Sequence, residues 1–93
     1  MIYRVKTTKQ FDRDVERLRK RRFDLGELQA VVDLLIAGEV LPARYKDHAL
    51  KGSLKAFCEC HIAPDWLLIY MLKKKELILV LSRTGTRGEL LKR

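Results

Sequence analysis

Apolar residues recur along this chain with two different periods. Phe11, Val15 and Leu18 stand at i, i+4 and i+7 in an otherwise charged segment, which predicts an amphipathic helix. Thr7, with Gln10 three residues on, has capping-box spacing and places the start of that helix. The run Arg17, Arg19, Lys20, Arg21, Arg22 closes it, where cations suit the negative end of the dipole. Asp24 with Glu27 repeats the capping pattern. Leu28, Val31, Val32 and Leu35 form a second stripe, and Gly38 is a natural stop. Two such helices joined by a short turn make a hairpin with one apolar side.

The rest of the chain has the shorter period. Met1 to Lys6 reads as a short strand. From Leu41 to Ser53 periodicity is lost, and Pro42 and Gly52 bracket a polar loop. Leu54 to Ile62 alternates, with Ala56, Cys58, Cys60 and Ile62 on one side and Phe57, Glu59 and His61 on the other. Pro64-Asp65 makes a turn. Trp66–Leu72 and Leu77–Leu81 are apolar on both sides, as inner strands are, and Lys73 to Glu76 joins them as a hairpin. Gly85 and Gly88 break the tail that follows. The expected class is α+β, in strand–helix–helix–three-strand order. The helical hairpin packs on one face of a mainly antiparallel twisted sheet, and the face bearing Phe57, Glu59 and His61 stays partly open.

A chain of 93 residues, 47% apolar and 34% charged, fits one domain spanning residues 1–93 with one core. No apolar run is long enough to span a bilayer, and the N-terminus lacks the apolar core of a signal peptide, so a cytoplasmic protein with no membrane role is expected. Net charge is +8, and it is uneven: residues 1–43 hold nine basic and seven acidic groups, residues 44–93 eleven and five. The excess lies with the loop, sheet and tail and makes a polyanion the first partner to consider. Cys58 and Cys60 are two apart on a strand, which suits neither a disulfide nor secretion. With His61 and His48 they lack the spacing of a structural zinc site.

Two histidines, His48 and His61, Asp65 and Trp66 at the turn, and Arg83 and Arg87 near the end of the last strand carry the candidate chemistry. Imidazole is the side chain best poised for proton transfer near neutral pH. Cleaving a phosphodiester without metal needs a base, a cation to steady phosphorus and an acid for the leaving oxygen. These residues are a sufficient kit for that reaction. They are also compatible with plain structural roles: a surface histidine, a turn aspartate, and a tryptophan better placed in the core than as a stacking platform.

Tyr45-Lys46-Asp47-His48-Ala49-Leu50-Lys51-Gly52-Ser53, the stretch His61 to Tyr70, and Arg83-Thr84-Gly85-Thr86 together resemble YafQ-type toxins of the RelE/ParE superfamily. The resemblance spans nearly the whole chain. It implies the toxin of a type II toxin–antitoxin module, a ribosome-dependent endoribonuclease that cuts mRNA in the 30S decoding site. The implied mechanism needs no cofactor: the ribose 2′-hydroxyl attacks the adjacent phosphate and leaves a cyclic phosphate. By motif match, His48, His61, Asp65 and Arg83 are the implied catalytic residues. His48, or Asp65 acting with His61, is the base side, and Arg83 steadies the phosphorane. Lys46, Lys51, Lys55, Trp66 and Arg87 are the expected RNA-binding residues. The implied partners are mRNA on the ribosome and a cognate antitoxin, with the toxin monomeric alone and heterotetrameric in complex. Arg17 to Arg22 are candidates for the antitoxin contact.

The chain departs from the family pattern at three places. Arg87 stands where the family usually has histidine after RTGT, Leu91 where it has phenylalanine, and Cys58 where the family strand often carries arginine. Arginine stays protonated and is a poor proton donor. Three alternatives to the full nuclease therefore stay open: a catalytically weakened or inactive relative that keeps antitoxin binding, a non-catalytic nucleic-acid-binding module, and a gyrase inhibitor of the ParE branch.

Overall fold

The computed structural model describes residues 2–90. In chain order it contains strand β1 (Arg4–Thr7), helices α1 (Lys9–Lys20) and α2 (Leu25–Ile36), and strands β2 (His48–Ala49), β3 (Cys58–Ala63), β4 (Trp66–Lys73) and β5 (Ile78–Gly85). The short helix α3 (Arg87–Leu90) follows. The five strands form one sheet in the order β1-β5-β4-β3-β2. β1 runs parallel to β5, and every other pair is antiparallel. The expected α+β architecture is therefore present, with one strand more than the alternation predicts.

That extra strand, β2, lies in the polar loop expected from 41–53. Two residues are too few for a period to be read. The first strand begins at Arg4 and ends at Thr7, because Thr7 pairs with Leu81. The helix cap consequently falls one residue later than Thr7. Thr8 Oγ1 accepts from the Phe11 N–H at 2.9 Å and donates to the Ser82 carbonyl at 2.8 Å. At the other end of α1, Arg22 takes a left-handed conformation (φ 63°). There the Phe23 N–H reaches the Leu18 carbonyl and the Arg22 N–H the Arg19 carbonyl, a Schellman closure with arginine where glycine is usual. α2 follows the sequence reading more closely: Asp24 caps it by accepting from the Gly26 N–H, and Gly38 (φ 74°) closes it. Residues 54–57, expected to open the next strand, form a 3₁₀ turn (Gly52–Leu54) and a tight bend, so β3 starts at Cys58.

Both helices lie on one face of the sheet. Phe11, Leu18, Leu28, Val31, Val32 and Leu35 pack there on Cys60, Ile62, Trp66, Leu68, Tyr70, Leu79 and Leu81. Leu67 and Ile78 are also buried but stand outside that cluster. Strand alternation puts them on the opposite face.

β1 ends opposite Leu81, while β5 continues to Gly85. The last turn of the strand would therefore expose unpaired backbone along its edge. α1 covers it. Asp14, with no exposed surface, accepts from the Thr84 N–H at 3.1 Å and from Arg83 at 2.8 and 3.2 Å. Arg17 adds a bond at 3.0 Å. Burial alone would raise the Asp14 pKa, but the hydrogen bonds from Arg83, Thr84 and Arg17 outweigh it and hold the carboxyl below its ordinary value of 3.8.

Removing this carboxylate leaves the buried Thr84 N–H and the Arg83 guanidinium without their acceptor, while Arg17 keeps Glu89. Asp14→Ala is expected to lower the unfolding free energy by about 1–3 kcal/mol, measured by urea denaturation at pH 7. Because the folded-state pKa is depressed, the stabilisation is present above the unfolded value and lost as pH falls through the folded one. The wild type should therefore lose stability steeply below about pH 4, and the variant should lack that part of the acid limb.

Candidate active site

β3 supplies the centre of the site. Glu59 and His61 alternate with the core residues Cys60 and Ile62, so they stand on the open face, roughly 6.5–7 Å apart along the strand. β2 brings His48 directly opposite Glu59. The His48 ring is gripped from both sides: Nδ1 lies 2.7 Å from the Lys46 carbonyl and Nε2 3.3 Å from a Glu59 carboxylate oxygen. Lys46 is left-handed (φ 50°), which turns its carbonyl toward the ring that follows. A neutral imidazole has one N–H to offer these two acceptors, an imidazolium two.

The preceding residue anchors the loop. Tyr70, buried in the sheet, donates its hydroxyl hydrogen to Asp47. Burial and that bond push the tyrosine pKa upward. Neither Glu59 nor Asp47 was singled out from sequence. Glu59 was legible only as an open-face neighbour of His61, and its pairing with His48 depends on the two-residue strand.

His61 Nδ1 lies 3.4 Å from the Pro64 carbonyl, at the β3–β4 turn. Asp65 follows in that turn and accepts from the Arg87 N–H at 3.3 Å. This bond joins the turn to the start of α3, so Asp65 and Arg87 are neighbours. Arg87 itself is exposed. Thr86 and Glu89 form a reciprocal capping box: the Thr86 N–H donates to Glu89 at 3.0 Å, and the Glu89 N–H to Thr86 Oγ1 at 3.3 Å. Glu89 also accepts from Arg17 at 2.8 Å and Arg21 at 2.7 Å, tying α3 to α1. A Cβ on Gly85 would stand 3.1 Å from Glu89 and 3.2 Å from Arg17, so a side chain there would press on this clasp over the strand end. Leu91 lies outside the described residues.

Arg83 is placed differently from the histidines. The register runs His48, Glu59, Ile69, Arg83 across four strands, about 14 Å at roughly 4.8 Å per strand. Its Nε and Nη2 are held by Asp14. This bond raises the arginine pKa further. The structure thus pairs His48 with Glu59, places His61 two residues along β3 on the same face, joins Asp65 to the Arg87 N–H, and holds Arg83 at the far margin of that face. Lys46 lines a groove with His61, while Lys51 and Lys55 flank the 3₁₀ turn after β2 and are exposed.

The expectation that Trp66 binds RNA is corrected. Its ring is 3% exposed, meets Phe23 edge-on at a centroid distance of 5.1 Å, and donates Nε1–H to Thr84 at 2.9 Å. A base has no access to its face, and its part is to fix the strand end beneath Asp65. Arg17 and Arg21, expected as antitoxin contacts, are already engaged by Glu89, and Arg19 by Glu16.

Both cysteines are free thiols on the helix side. Burial pushes the Cys60 pKa up to about 12 and raises that of Cys58. Among the described residues no three His, Cys, Asp or Glu side chains are grouped to hold a metal ion, and no helix is long and apolar enough to cross a membrane.

A helical hairpin on one face of this strand order, with imidazoles and carboxylates gathered on the other face and at the strand ends, is the RelE-like toxin fold. Within that class the chain belongs to the YafQ family. Residues 3–92 match the family described as "Bacterial toxin of type II toxin-antitoxin system, YafQ". The chain is 44% identical over 82 residues to the mRNA interferase toxin YafQ of Escherichia coli K12, covering 87% of each protein. It is similar in structure to YafQ in the E. coli DinJ–YafQ toxin–antitoxin complex, with TM-score 0.90, 38% identity, and 99% and 100% of the two chains covered. A metal-bound toxin from Helicobacter pylori gives TM-score 0.89 and 47% identity over 98% of this chain and all of that one.

The thiol environment gives a direct check. Cys60 should not react with a disulfide reagent at pH 8 in the native protein, and should react at once in urea. Rapid native labelling at Cys60 would contradict the packing described.

Proposed function

We propose that this toxin is an mRNA interferase: an endoribonuclease that cuts messenger RNA on the ribosome by metal-free attack of a ribose 2′-hydroxyl on the adjacent phosphate. The observation that carries the reading is the open face of β3, where His48 meets the Glu59 carboxylate, His61 stands two residues further along the strand, and Asp65 lies at the turn that follows. The name of the E. coli relative supports the substrate.

In this reading Asp65 with His61 takes the 2′-hydroxyl proton. His48, aligned by Lys46 and Glu59, serves the leaving oxygen. That assignment removes the need for an acid at position 87, where the family's usual histidine is replaced by Arg87. Arg87 and Lys46 provide charge beside these groups. Arg83, fixed through Nε and Nη2, presents its remaining Nη1 to phosphate. Lys51 and Lys55 hold backbone further along the strand, where such contacts add affinity without reading sequence. A cognate antitoxin is the expected partner, as the E. coli complex of YafQ with DinJ suggests. Its acidic segment would meet Lys20 and Arg22, the cations of the 17–22 run without a side-chain partner among the described residues, and the complex would be a heterotetramer.

Purified toxin added to a translation reaction should release message fragments ending in a cyclic phosphate. A 2′-deoxy nucleotide at the scissile position should abolish cutting, and persistence of cutting would overturn the mechanism. His48→Ala and His61→Ala should each lower the cleavage rate about 10²–10⁴-fold. Arg87→His should change the rate of the wild type by less than about tenfold if His48 is the acid. Activity that appears only in the Arg87→His variant would instead make this chain a weakened relative.

A further inference from the structure

One groove adjoins the candidate site and shares His61 and Lys46 with it. It has a volume of about 710 Å³, within the range of small-molecule sites. One wall is the first turns of α2, with Asp24, Gly26, Glu27 and Ala30. The other is the 3₁₀ turn Ala43–Tyr45 and its neighbour, with Arg44, Tyr45 and Lys46. His61 and the residues up to Pro64 close it. The two walls differ in chemistry. The Arg44 guanidinium carbon stands over the Tyr45 ring, 4.6 Å from its centroid, and the guanidinium donates to the Tyr45 hydroxyl at 2.9 Å. The pair presents an exposed, planar cation held by its neighbour, a group on which a nucleobase can stack. Opposite, the Glu27 carboxylate is exposed and takes no hydrogen bond or ion pair among the described residues, whereas Asp24 is engaged by the Gly26 N–H. A carboxylate can only accept, so it fits an exocyclic amino group and repels a phosphate or a bare carbonyl edge. Lys46 supplies a cation on the far wall.

We propose that this groove is a base-reading pocket for one nucleotide flanking the scissile bond. An amino-bearing base stacks on Arg44 and donates to Glu27, and its phosphate lies toward Lys46. The inference rests on the proposed nuclease reading for the identity of its ligand, because His61 is common to the groove and to the proposed catalytic residues. It goes beyond that reading in naming residues that discriminate bases while touching no reacting atom. Uracil, whose pairing edge has no amino group, is the base the pocket rejects.

Two readouts separate the pocket from the chemistry. In the first, 2′-O-methyl trinucleotides, which cannot be cut, are titrated into the free toxin and followed by NMR. Adenine- or cytosine-containing oligomers should shift the Arg44 Nε–H and Tyr45 ring resonances and bind at least about fivefold more tightly than the all-uridine oligomer. Glu27→Gln should bring the two affinities within twofold, with the Arg44 shifts retained. In the second, wild-type and Glu27→Gln toxin are compared in the translation reaction on messages differing only at the flanking position. The variant should cut uridine-flanked and adenine-flanked sites at similar rates, with its rate on the better site reduced less than tenfold. Equal binding of all oligomers by the wild type, or discrimination unchanged in Glu27→Gln, overturns the pocket even where cleavage proceeds. Absence of cleavage with base-dependent shifts at Arg44 and Tyr45 overturns the nuclease reading and leaves the pocket standing.

Discussion

The Asp14 carboxylate is the constraint on which the remainder of this fold depends. A β-strand that outruns its neighbour leaves backbone donors facing nothing, and β5 outruns β1 by four residues. A helix cannot extend a ladder, but one buried carboxylate on its inner face can stand in for the missing strand. Asp14 does so at Thr84, and its second role follows from its charge. Buried, it needs compensation, and Arg83 and Arg17 supply it. The same group therefore sets where α1 lies, where Arg83 points and how Arg17 reaches Glu89. Secondary structure, electrostatics and the margin of the candidate site are linked through a single side chain.

The candidate site is built from short, irregular pieces held by specific bonds, while the regular elements provide the frame. His48 sits on a two-residue strand, Asp65 in a turn, and Arg87 on a one-turn helix. None of these would hold its place by local propensity. Each is fixed by a partner elsewhere: Tyr70 on Asp47, Glu59 on His48, the Arg87 N–H on Asp65, and Arg17 and Arg21 on Glu89. The arrangement lets a 93-residue chain keep polar groups at defined positions on an exposed face.

Much of this was legible in the sequence. The two helical stripes and the apolar strands carry strong periods, and the structure follows them closely. The segments that fail are those where tertiary pairing overrides a local signal. Thr7 and Thr8 are equally good caps in isolation, and the choice falls to Thr8 because Thr7 is held in the ladder by Leu81. Residues 54–57 alternate like a strand, yet Gly52 in a left-handed conformation (φ 67°) turns them away from β4. The site residues His48, His61, Asp65 and Arg83 were marked by motif. The acids that organise them, Asp14, Asp47, Glu59 and Glu89, were not. An acidic residue on a charged helix has no signature until its partner, about 70 positions away, is known. Trp66 shows the converse. Its motif suggested an RNA contact, while its apolar surroundings already argued for the core.

The turn between the helices holds one further consequence. A left-handed arginine at residue 22 carries a conformational penalty of roughly 1 kcal/mol that glycine would not. The hairpin is thus less stable than its own geometry permits, at a solvent-facing position remote from the imidazoles. The left-handed arginine shows that this scaffold has headroom for stabilisation which its sequence leaves unused.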